Sequence, residues 1–136
     1  MELSLQREDW DIMLAHVRER APLEACGLLV GKNNLVEKVL LIENQAQSPV
    51  RFRMDPQDQL EAFNWIDSSG LDLIGIFHSH PAGPDTVSAT DIEEAAYSVA
   101  QIVWSRKKGR WTARGFWIQN QQVTEVKLKV IEDEQP

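Results

Sequence analysis

Only one cysteine, Cys26, occurs in the 136 residues. An internal disulfide is excluded, and so is a cysteine-rich zinc site. Flanked by Ala25, Gly27, Leu28, Leu29 and Val30, the thiol reads as a small buried side chain. No apolar run reaches the length of a membrane span, and no charged-then-apolar leader opens the chain. The expected setting is a reducing cytoplasm. Basic residues are scarce: 14 Lys plus Arg stand against 21 Asp plus Glu, a formal net charge of -7. A nucleic-acid surface wants the opposite balance. The one basic run, Arg106, Lys107, Lys108 and Arg110, reads as a solvated turn between two strands. Repeats and low-complexity tracts are missing too.

Core material is present instead. Hydrophobic residues make up 43% of the chain, with five Trp and four Phe spread along it, which excludes disorder as the main state. The length suits one domain over 1–136, ending in a polar tail from about 132 to 136. Core packing is the expected use of most tryptophans; an aromatic homodimer interface is the alternative.

Trp10, Met13 and Val17 recur at helical spacing, and Pro22 closes that helix. Gly27 to Val30 and Leu35 to Ile42 form a hairpin. Asn44 to Pro49 is loop. Asp55-Pro56 starts a second helix, with the stripe Leu60, Phe63 and Ile66 and an end before Gly70. Leu71 to Phe77 suits a central strand covered on both faces. His78 to Val87 reads as loop, and Ser88 to Ala100 as a helix opened by a Ser88/Asp91 cap. Gln101 to Ser105, Trp111 to Ile118 and Gln122 to Ile131 read as strands. Helices interleaved with strands predict an α/β/α sandwich on a mixed central sheet.

Two of the three histidines stand in His78-Ser79-His80-Pro81, directly after that strand. In extended chain, residues i and i+2 point to one side, so both imidazoles can address one point. Catalytic zinc takes three protein ligands and keeps a position open. Asp91, eleven residues past His80 at a helix start, is a candidate third ligand; Asp85 competes from a Gly-Pro loop. Hydrolysis also needs a base. Glu24 stands at the start of an apolar stretch, where an acid suits a sheet edge facing a cleft. His16 reads as a helix-surface residue. Taken singly, each group has a plain explanation: a histidine pair in a loop, Ser88 as a cap, Glu24 as a surface acid. Their combination carries the argument.

His78-Ser79-His80-Pro81, six residues, Ser88, two residues and Asp91, with Glu24 upstream, resembles the full signature of the JAMM metalloproteases, also called MPN-plus domains. Pro22 to Gly31, Asn44 to Pro49, Phe52 and Asp55-Pro56 are similar to the family as well, above all to its small bacterial and archaeal members. The resemblance spans about residues 5 to 120 and implies the cytidine-deaminase-like JAMM fold. It implies one Zn2+ on His78, His80 and Asp91, Glu24 as general base and later proton donor, and Ser88 as donor to the tetrahedral intermediate. Ser79 is expected to fix the turn through backbone. The implied reaction cuts the peptide or isopeptide bond after the C-terminal Gly-Gly of a ubiquitin-like or sulfur-carrier protein, since a tail without side chains can enter a narrow channel. No family position is lost, which implies an active enzyme. The alternatives are a noncatalytic module that recognises such a tail and a metal-stabilised domain. A zinc deaminase lacks support, because its His-x-Glu and Pro-Cys-x-x-Cys are absent.

Overall fold

The computed structural model describes residues 1–95 and 98–132. The chain runs β1 (Glu2–Gln6), α1 (Arg7–Arg20), β2 (Cys26–Lys32), β3 (Leu35–Ile42), α2 (Pro56–Ser69), β4 (Asp72–His80), α3 (Ala89–Glu93), β5 (Ala100–Lys107), β6 (Arg110–Gln119) and β7 (Gln122–Ile131). Glu8 and Asp9 in the first turn of α1, with Arg18 and Arg20 in its last, complement the helix dipole. In α2 the Asp55 carboxylate accepts the Asp58 N–H, Pro56 begins the helix, and Gly70 ends it at φ 77, a left-handed conformation that glycine adopts without strain.

The strands form one mixed sheet in the order β1-β3-β2-β4-β5-β6-β7, closed by a parallel pairing of β1 with β7. β2 and β4 are antiparallel, β4 and β5 parallel. Alternation along the strands divides the core between the sheet's faces. Leu29, Phe77 and Trp104 pack with Met13 and Val17 of α1. Cys26, Leu28, Val30 and Ile76 pack with Ala62 and Ile66 of α2. A Cβ on Gly27 would meet Phe77 Cε1 at 2.3 Å, so only glycine lets the Phe77 ring lie against β2.

Three elements differ from the sequence reading. β1 was not expected: Leu3 and Leu5 alternate over a run too short to signal a strand, and its neighbours β3 and β7 define it. β4 continues through both histidines, so His78 and His80 lie on the strand and the loop begins after them. The helix expected over Ser88 to Ala100 stops at Glu93, and β5 begins at Ala100; positions 96–97 lie outside the described residues. The basic run forms the β5–β6 turn, with Lys108 and Gly109 at positive φ. Of the tail, Glu132 pairs with Arg7, and the rest lies outside the described residues. Trp104 is a core residue with Trp10 at 4.7 Å between ring centroids, whereas Trp65 is 39% exposed. No helix among the described residues is long and apolar enough to cross a membrane.

Candidate metal centre

β4 delivers His78 and His80 to the α2 face of the sheet, both buried. Between them Ser79 points the other way. Its Oγ accepts the Ala25 N–H at 2.8 Å, and its own N–H donates to the Ala25 carbonyl at 3.0 Å. Ser79 thus bonds backbone as expected, but across the strand pair and not within a turn. The antiparallel register pairs Cys26 with His78 and, continued by those bonds, brings Glu24 to the level of His80. Glu24 does not stand at a sheet edge: β2 lies between β3 and β4, so the acid caps the end of an interior strand. Its N–H donates to the Ser48 carbonyl, and its own carbonyl accepts from Asn44 Nδ2.

α3 supplies the second carboxylate. Ser88 Oγ accepts the Asp91 N–H at 3.0 Å, and Asp91 Oδ2 accepts the Ser88 N–H at 2.8 Å, a complete capping box. The same Oδ2 lies 3.0 Å from His78 Nε2 and 3.2 Å from His80 Nε2. Ligand atoms of Glu24, His78 and His80 all lie within 4.8 Å of one another. Asp85 is elsewhere: it is exposed and paired with Arg114 at 3.3 Å. His16 is buried, not on the surface, and sits edge-on to Phe77.

The protonation pattern fits a cation. His80 Nδ1 lies 3.0 Å from the Pro84 carbonyl, which can only accept, so Nδ1 carries the proton. In a neutral ring His80 Nε2 is then a bare lone pair facing a carboxylate oxygen, a juxtaposition that needs a proton or a metal ion between. Burial lowers the pKa of His80, but the Asp91 and Pro84 hydrogen bonds and the charges of Asp91 and Glu24 raise it overall. Burial would lift Asp91, yet the bonds to His78 and His80, the His78 charge and the Ser88 amide hold it well below the usual carboxylate range. For His78 burial prevails over Asp91 and lowers the pKa. Glu24 is pushed up to about 8, chiefly by burial, with His80 opposing and Asp91 adding to the rise. Within the centre, buried Glu24 Oε1 and His78 Nδ1 have no partner among the described residues.

An open groove of about 1010 Å3 is lined by Asp91 together with Arg51, Phe52, Met54, Gln59 and Ile76 among others. Three residues around the centre had no part assigned from the sequence. Phe52 stacks on His78, Pro84 orients His80, and Asn44 holds the segment that carries Phe52. Phe52 and Asn44 stood out only through the family resemblance; a backbone carbonyl such as that of Pro84 leaves no mark in a sequence.

Two buried imidazoles, the Asp91 carboxylate that reaches the groove, and the Glu24 acid beside them are a set of donors that could hold a metal ion. The chain belongs to the family of prokaryotic homologues of the JAB domain, whose model it matches over residues 6–126. It is 38% identical over 112 residues to the desampylase of Pyrococcus furiosus, covering 79% of this chain and 76% of that protein. It is 32% identical over 124 residues to the CysO-cysteine peptidase of Mycobacterium tuberculosis, covering 88% and 85%. The solution structure of a Desulfitobacterium hafniense protein superposes with a TM-score of 0.87 at 35% identity, over 96% of this chain and 94% of that one.

Proposed function

We propose that the chain is a one-domain zinc metallopeptidase that hydrolyses the peptide or isopeptide bond following the C-terminal Gly-Gly of a ubiquitin-like or sulfur-carrier protein. The relatives named desampylase and CysO-cysteine peptidase support that substrate class. His78 Nε2, His80 Nε2 and an Asp91 oxygen are the atoms that would hold the ion. Zinc bound there supplies Lewis acidity and a water acidified toward neutral pH.

The single observation that carries the reading is Glu24. It is a 3% exposed acid held beside the imidazoles, with one oxygen that has no partner among the described residues. Such a carboxylate takes a proton from the attacking water and returns it to the leaving nitrogen as the C–N bond breaks. Ser88 Oγ accepts from Asp91, so its O–H is free to donate to the scissile carbonyl oxygen as charge develops there. The groove offers the extended tail a route to Asp91. A reducing cytoplasm suits a chain whose one thiol is buried and pushed up to about 12, chiefly by burial.

The test is the intact mass of a Gly-Gly sulfur-carrier protein carrying a short C-terminal extension, incubated with zinc-loaded protein. Cleavage after the second glycine is expected, slowed about 10²–10⁴-fold by Glu24→Gln, with one zinc per chain retained in both. A carrier that binds but stays intact would instead favour the noncatalytic tail-binding module.

A further inference from the structure

An imidazole that holds a metal ordinarily donates its second ring N–H to a carboxylate, a carbonyl or water, and that bond sets its orientation. His80 follows the rule through Pro84. His78 does not: it is completely buried, and its Nδ1 has no partner among the described residues. Rotation about its side-chain torsions is opposed by something else. The ring of Phe52 lies 4.7 Å from the His78 ring, centroid to centroid, at an interplanar angle of 25°. That is a stacked arrangement, whereas His80 meets His78 edge-on at 66°.

Phe52 lies outside every helix and strand. It is held from both sides by one side chain. Asn44 Nδ2 donates to the Arg51 carbonyl at 3.1 Å, and Asn44 Oδ1 accepts the Arg53 N–H at 2.9 Å. The same Nδ2 donates to the Glu24 carbonyl at 2.9 Å. Asn44 is itself buried, and these bonds draw on both ends of its amide. One residue therefore fixes the Phe52 backbone and the Glu24 backbone together.

Resting on the metallopeptidase reading above, we infer that Phe52 is a positioning residue for His78: its ring, laid flat on the imidazole, keeps Nε2 aimed at the Asp91 side of the centre, where no described residue bonds Nδ1 to do so. Because the ring also lines the groove, whatever fills the groove presses on the group that orients the ligand. A leucine of similar bulk fills space but cannot stack, which separates orientation from packing. Tyrosine and tryptophan keep a flat face, and half-buried Phe52 at the groove leaves room for their polar atoms.

The test needs only the metal. Wild-type, Phe52→Leu and Phe52→Tyr proteins are titrated with Co2+ against a competing chelator, and the visible absorption of the bound ion is recorded. Phe52→Leu is expected to bind about 10–100-fold more weakly, with an altered cobalt spectrum and unchanged unfolding of the metal-free protein. Phe52→Tyr should stay near wild type. Equal affinity and an identical spectrum for Phe52→Leu would overturn the assignment while leaving the metallopeptidase reading intact. Wild-type protein that takes up no Co2+ would overturn both. Should Phe52→Leu fail to fold, the metal-free wild type decides: stacking shifts the His78 ring protons upfield in its NMR spectrum, and ordinary shifts there would end the proposal.

Discussion

Helices α2 and α3 open with the same device, an oxygen side chain that accepts a backbone N–H three residues on. In α2 the device serves the helix. Asp55 caps fourteen residues whose buried side chains pack on the sheet, and its carboxylate goes no further toward the centre. In α3 it closes only five residues, too few to be a stable helix by themselves. Both halves of the box are made there, and the carboxylate that completes it also meets two imidazoles. The difference teaches what the second cap is for. A helix start is a convenient way to hold a carboxylate still: its backbone amides fix one oxygen, and its dipole welcomes the charge.

The largest effect should follow Asp91→Ala, which strips the carboxylate from two buried imidazoles. Zinc affinity, measured by chelator competition, is expected to fall about 10³-fold or more. Ser88→Ala breaks the box but leaves the carboxylate; turnover should drop about 10²-fold, the usual effect of losing one donor at a developing oxyanion. Next comes a pH effect in metal-free protein. Glu24 has a folded pKa of about 8 against an ordinary 4.5, so its contribution to stability is whole below about pH 4.5 and is lost as the pH rises toward 8. Glu24→Gln removes that dependence. Denaturant unfolding in chelator should show it gaining about 2–4 kcal/mol over wild type between pH 4 and pH 8.5. The smallest effect is assigned to Asp55→Ala: about 1 kcal/mol of stability, with zinc affinity unchanged. If Asp55→Ala weakened zinc as much as Asp91→Ala, the contrast between the two helix starts would be void.

Much of the centre was legible because its parts are local. The two histidines two residues apart on an extended segment, and Ser88 three residues before Asp91, express geometry that strands and helix starts impose on any chain. The boundaries of α2 and β7 were legible for similar reasons: Asp55, Pro56 and Gly70 punctuate the first, and alternation of Val126, Leu128 and Val130 marks the second. What could not be read depends on distant partners. β1 exists as a strand through β3 and β7, and its two leucines carry too little pattern alone. His16 looked exposed because its helix is polar overall, but Phe77 from the sheet covers it. α3 ends early where Glu93 and Glu94 stand at its C-terminus, a place that disfavours acids.

Ser79 gives the centre a further property. Strand side chains alternate strictly, so a slip of β4 by one residue against β2 would turn both imidazoles to the α1 face and present Phe77 and Ser79 to Asp91. The hydroxyl of Ser79 on the Ala25 amide belongs to the native register alone. On the proposed metal-centre reading, uptake of an ion would report strand alignment: a misregistered molecule would stay silent, and a loaded one would already have paired β2 with β4 correctly.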